Sequence, residues 1–144
     1  MFLTDVTGGT STAMLEKMLA FTEARNKVIA TNIANATTPG YRAKQVDPAA
    51  FQAALRDAAA RRKADGGGFE IAANDQVEVD AAGMLKVKPT EEPTENLLFH
   101  DGTNARIERQ MATLAENTMM HNAAVDLLRS QFEGLTKAIR GRAG

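Results

Sequence analysis

His100 and His121 are the first residues to test for chemistry, and they stand twenty-one positions apart. Neither sits in an H-E-x-x-H pattern, which would put two imidazoles and a carboxylate on one helix face, so their spacing does not ask for a metal. Cysteine is absent, which excludes a disulfide framework, a thiolate metal site and a Cys nucleophile. The carboxylates are scattered, and none stands in a spacing with a histidine and a hydroxyl that would support acid–base or nucleophilic work. Gly66-Gly67-Gly68 lacks the Lys-Ser/Thr of a phosphate-cradling loop and follows no convincing strand, so it reads as a linker. Asn35-Ala36-Thr37 fits the glycosylation acceptor pattern, but no secretion signal gives that match a meaning. The expectation is a chain that is not an enzyme, uses no cofactor or metal, and works through its surfaces.

The bulk numbers agree with one folded, aliphatic-rich unit. Hydrophobic residues make up 44% of the 144, aromatic residues only 5%, with one Tyr and no Trp, while Ala, Leu and Met are plentiful. Such a composition favours helix. The net charge of -1 lacks the basic footprint of a nucleic-acid binder. The cluster Arg61-Arg62-Lys63 and the later Lys137, Arg140 and Arg142 suit helix C-termini, whose dipole favours cations. No stretch approaches the 18 or more apolar residues of a membrane span, and MFLTDVTGGTSTAMLEK has no basic segment followed by an apolar one. The chain is expected to be cytoplasmic, or exported without a cleaved signal.

The elements follow from local signals. Residues 1–12 read as a flexible N-terminus ending in Gly8-Gly9, with Thr10, Ser11 and Thr12 as candidate caps. A helix is predicted over 13–36, where Met14, Met18, Phe21 and Val28 form one apolar stripe and Leu15, Leu19, Ile29 and Ile33 the adjacent one. It must stop before Pro39, because the residue preceding a proline is pushed out of helical conformation. Pro39-Gly40 suits the centre of a type II turn, within a connector over 37–47. Asp47-Pro48 then caps and starts a short helix over 48–64, with Phe51 and Leu55 one turn apart. Residues 65–101 read as a glycine-rich linker, a small β-hairpin in which Val77 and Val79 within 76–80 share a face and Leu85 and Val87 alternate likewise after Ala81-Ala82-Gly83, and a polar connector around Glu91-Glu92. Two strands alone are marginal in water, so the hairpin must lean on another element.

The strongest periodicity is last, in a helix predicted over 102–140 that opens with Asp101-Gly102-Thr103 as turn and cap and leaves 141–144 as a tail. Alternating steps of four and three connect Ile107, Met111, Leu114, Thr118, His121, Val125, Leu128, Phe132, Leu135 and Ile139, of which eight of ten are apolar. That is the seam of a coiled coil, in which Thr118 and His121 act as polar residues that set register. A helix over 103–140 would span roughly 57 Å at about 1.5 Å per residue, beyond the roughly 40 Å diameter of a compact globule of this length. The fold class expected is therefore mainly α: an elongated, coiled-coil-like pair of N- and C-terminal helices with a small, partly β or irregular middle segment. A two-helix hairpin leaves apolar surface wet, including Met119, Met120 and Leu127, which further subunits would cover. The seven methionines read as core filling before partner binding.

Two stretches carry a family resemblance: NIANATTPGYRAK, residues 32–44, and DGTNARIERQMATLAENTMMHNAAVDLL, residues 101–128. Together they resemble the flagellar basal-body rod proteins, and within these the proximal rod members, over about the first 50 and last 45 residues. Asn32, Ile33, Asn35, Pro39, Gly40 and Tyr41 match the first motif, and Ile107 to Ile139 match the terminal helix. Asp47-Pro48 departs from the family's usual Asp-Phe, and the hairpin region is unmatched.

The resemblance implies a structural subunit of the rod crossing the periplasm, exported through the flagellar type III apparatus without a cleaved signal. It implies contacts with copies of itself, other rod proteins, the FliE adaptor and the MS ring. The two apolar faces and the Asn32–Tyr41 corner would then be subunit interface, with Asn32 and Asn35 bonding backbone groups of neighbours; local capping is the alternative. The other functional reading is a cytoplasmic helical adaptor or secretion chaperone that holds a partner helix in its groove.

Overall fold

The computed structural model describes residues 2–93 and 100–141. Two long helices dominate it: α1, Phe2–Ala34, and α3, His100–Gly141. They run antiparallel, because Thr12 meets Gln131, Thr22 meets Asn117 and His121, and Asn32 meets Gln110. At 42 residues, α3 is roughly 63 Å long, and the architecture is the elongated, mainly helical one expected.

Both long helices start earlier than the local signals predict. The sequence reading opens the first helix at Ala13, whereas α1 is helical from Phe2 through Gly8-Gly9. The hydroxyls proposed as caps have another task. The Thr12 hydroxyl donates to Gln131 Oε1 at 2.9 Å, and Gln131 Nε2 donates to the Ser11 hydroxyl. Pairing with α3 thereby overrides a glycine cost of about 1 kcal/mol each. Likewise Asp101-Gly102-Thr103, expected as turn and cap, lies inside α3 with Gly102 buried; a buried backbone is better satisfied in a helix than in an open turn. At the other end α3 includes Gly141.

The middle segment packs against α1. Asp47 caps α2, Pro48–Asp65, by accepting from the Ala49 N–H at 2.8 Å, with proline in the first helical turn. Gly66 ends it at φ 66°, donating its N–H to the Arg62 carbonyl at 2.9 Å. The residues α2 buries, Phe51, Ala54, Leu55 and Ala58, follow the i, i+3, i+4, i+7 spacing of one helical face. Phe51 stacks flat on Phe21 of α1, ring centroids 4.0 Å apart, and Val46, Ile71 and Val77 complete this core.

The predicted hairpin is present as β2, Val77–Val79, and β3, Leu85–Val87, antiparallel with Val77 opposite Val87. It leans on the core through Val79, Leu85 and Val87, which supplies the support two strands need. A second ladder, absent from the sequence reading, pairs β1, Lys44–Gln45, with β4, Thr90–Glu91. It closes the middle segment onto the end of α1.

The hairpin turn carries an acid-sensitive contact. Asp80 Oδ1 accepts the N–H groups of Ala82 and Met84, at 3.0 and 2.9 Å, while Gly83 takes φ 79°. The Met84 N–H holds the Asp80 carboxyl below its ordinary value, helped by Ala82 and by the cations Lys86 and Lys17 against a smaller opposing cost of burial. A depressed folded value means the stabilisation is present above the ordinary carboxylate range and lost as pH falls through the lowered value. Amide NMR shifts of 80–84 are expected to move only in that acidic window, and in Asp80→Asn not to titrate there. A transition near neutral pH would contradict this.

Candidate assembly interface

The corner at residues 32–44 is built around one buried side chain. Asn32 Nδ2 donates to the Lys44 carbonyl at 2.6 Å and to Gln110 Oε1 at 3.2 Å, while its Oδ1 accepts from the Tyr41 hydroxyl at 3.0 Å and the Lys44 N–H at 2.9 Å. Two donors and two acceptor positions are thus all used. Tyr41 is brought back by the predicted turn, in which the Tyr41 N–H donates to the Thr38 carbonyl at 3.2 Å and Gly40 has φ 74°.

This revises the expectation for Asn32, which is engaged inside its own chain and has no group left for a neighbour. Asn35 also bonds locally, its Nδ2 donating to the Thr31 carbonyl at 2.9 Å and its Oδ1 accepting from the Thr38 hydroxyl at 3.3 Å. Asn32→Ala removes four hydrogen bonds, one of them buried, and leaves Gln110 short of a buried partner at a cost of about 1–3 kcal/mol, so a large fall in the urea midpoint is expected. Asn35→Ala should cost about 1 kcal/mol, as for a helix cap. Equal effects from the two would contradict the hub.

Asn32 is the first rung of a polar ladder between the long helices. Gln110 continues to Glu92 Oε1 at 2.9 Å. One heptad on, Asn117 Nδ2 donates to the Thr22 carbonyl at 2.8 Å. The Thr22 hydroxyl lies 3.0 Å from the Leu19 carbonyl oxygen and 2.9 Å from His121 Nδ1. Ala124 is buried in the next place and Gln131 follows against Ser11 and Thr12. The column facing α1 is therefore 110, 117, 124 and 131. The sequence reading overlooked these residues because it followed apolar spacing; their signal was polar side chains seven and fourteen residues apart beside the apolar seam.

The apolar seam itself is split. Ile107, Leu114, His121 and Leu128 flank the ladder, half-buried, and Val125 is half-buried beside them, whereas Met111, Thr118, Phe132, Leu135 and Ile139 are exposed. Phe132 is 54% and Ile139 70% accessible. On α1, Met14, Met18, Val28 and Ile33 are half-buried. Phe21, expected on an interface, is wholly inside the core against Phe51. Pro39 and Gly40 are exposed at the corner and Tyr41 is half-buried. Between the helices, Leu19, Val125, Leu128 and Phe132 line an apolar trough of about 580 Å³ rimmed by Arg129 and Arg140. Such a contiguous apolar stripe marks an interaction surface.

Among the described residues no group of three or more His, Asp or Glu is arranged to hold a metal ion, and no helix is long and apolar enough to cross a membrane.

No family model matches the chain. It is similar to the flagellar basal body rod protein FlgB of Cereibacter sphaeroides, 30% identical over 85% of this chain and 88% of that protein. It is also similar to FlgB of Bacillus subtilis, at 28% over 88% of this chain and 91% of the relative, and of Salmonella typhimurium, at 26% over 81% and 83%. These alignments run through the middle segment as well as the terminal helices, and on their strength the chain belongs to the FlgB family of flagellar basal body rod proteins.

Proposed function

We propose that the chain is a structural subunit of the proximal flagellar rod, polymerising through its terminal helices into part of the shaft that carries torque from the MS ring to the distal rod and hook. Family membership supports the rod role. The observation that favours polymerisation is the set of apolar seam residues that α1 leaves exposed, Met111, Phe132, Leu135 and Ile139. In a head-to-tail assembly each added neighbour buries such a stripe, and the contact propagates because it does not close on itself. Copies of the same chain and other rod proteins are the partners this surface suits. Contacts with the FliE adaptor and the MS ring, and passage through the type III export apparatus without a cleaved signal, complete the reading.

The experiment is fractionation. Recovery of the chain in purified basal bodies supports the rod subunit, whereas a purely cytosolic pool with one stoichiometric partner supports the helical adaptor or secretion chaperone instead. The same apolar trough would serve that alternative, so location discriminates where surface chemistry does not.

A further inference from the structure

The ladder between α1 and α3 is satisfied toward its ends and not at its middle. Toward one end Asn32 uses both its donors and its acceptor oxygen, on Lys44, Tyr41 and Gln110. Toward the other, Gln131 engages Ser11 and Thr12. Between them Asn117 gives its Nδ2 to the Thr22 carbonyl at 2.8 Å, and its buried Oδ1 has no hydrogen-bond partner. Thr22, Arg25, Ile29 and Asn32, spaced by three and four, are all buried and form one column along α1. Arg25 is 6% accessible, and its Nη1, enclosed like Asn117 Oδ1, has no partner either. The two orphan atoms among the described residues therefore fall on the same rung and do not satisfy each other.

A guanidinium carries a permanent charge and five donors in a fixed fork. Burial strips its hydration, and a polar group left without a partner in a dry site costs more than a made bond gains. Opening the Asn32 or the Gln131 rung only breaks bonds. Opening the middle rung also returns the Arg25 Nη1 and the Asn117 Oδ1 to water, a gain the other rungs do not obtain. Local opening follows such differences, because segments of one structure open with separate free energies.

We infer that Arg25 is a weak point built into the α1–α3 pair: the middle of the seam opens before its ends, and that opening starts the separation of α3 from α1. Its existence is a property of the isolated chain. Its role rests on the export reading above, in which α1 and α3 part before the chain passes through the export apparatus.

The test begins with the isolated full chain. Arg25→Met keeps an unbranched side chain while removing the charge and the donors, and is expected to raise the thermal midpoint by at least about 3 °C. Arg25→Lys keeps a buried cation and is expected to give no rise. Amide exchange of the wild type should show helical amides at 22–25 and 114–121 opening at least about tenfold more often than those at 29–32 and 107–110, and Arg25→Met should remove that difference. An unchanged or lower midpoint for Arg25→Met would overturn the inference, since the guanidinium would then be neutral or would serve the fold. An equal rise from Arg25→Lys, or a middle rung protected as well as its neighbour, would overturn it too. In the bacterium, with export of the wild-type chain as the control, Arg25→Met should leave the cytoplasm several-fold more slowly, because stabilisation retards unfolding. Failure of that control would defeat the export reading and leave the weak point to be judged on the isolated chain. Export of a stabilised Arg25→Met at the wild-type rate would overturn the role assigned to it.

Discussion

Phe132→Asp is expected to leave the isolated chain as helical as the wild type and to remove it from basal bodies, with motility lost. At 54% accessible, Phe132 contributes little to the folding of the free chain, so a polar replacement costs it little. In an assembly that covers the stripe, the change forfeits about 1.5–3 kcal/mol of apolar burial and adds the cost of desolvating a carboxylate. A loss of about 3 kcal/mol per contact is more than a hundredfold in association, and each subunit of a polymer makes the contact again. Circular dichroism of the purified chain and immunoblots of basal bodies read the two halves of the result. Leu128→Asp should differ, because Leu128 is half-buried beside the ladder as well as lining the trough, and is expected to lower the thermal midpoint too. Wild-type swimming in the Phe132→Asp strain would sink polymerisation through this stripe.

The second large effect lies in the fold. Phe51→Ala should destabilise the chain by about 3–5 kcal/mol, the range for removing a fully buried phenylalanine. Phe51 and Phe21 are both at 0% accessibility and stack face to face, so truncation leaves the Phe21 ring beside a void that Ala54, Ala58 and Val46 are too small to fill. The loss should fall on α2 and the hairpin, whose packing runs through this pair, more than on the hydrogen bonds between α1 and α3. Urea titration gives the magnitude, and amide exchange shows where the protection goes. A loss under about 1 kcal/mol would show that the stack is not the centre of the middle segment.

The elements with local punctuation were legible in the sequence. Asp47-Pro48 starts α2, Pro39-Gly40 forms the corner turn, and the alternation of Val77, Val79, Leu85 and Val87 gives the hairpin, because each signal acts within a few residues. What the sequence hid was decided at long range. Gln110 faces Asn32 across 78 positions, and no apolar period announces that a polar column faces α1. The 4-3 pattern identifies a sticky stripe but does not say whether its partner is the same chain. Thr10-Ser11-Thr12 has the composition of a cap, and only Gln131 shows why helix continues through it. The ladder of Lys44 and Gln45 with Thr90 and Glu91 is too short and polar to carry a strand signature.

The polar ladder also determines phase. Its rungs at 110, 117 and 131 meet Asn32, Thr22 and Ser11/Thr12 in a single alignment. Sliding α3 by one heptad, roughly 10 Å, would break these bonds while leaving the exposed apolar stripe nearly unchanged to an incoming helix. Apolar contacts alone would tolerate that slip, and in a tube of repeating subunits a slipped member would present its stripe at the wrong height to those that follow. Hydrogen bonds between α1 and α3 make the displaced alignment expensive before a neighbour arrives, so in the proposed assembly the longitudinal spacing would be encoded within each separate chain.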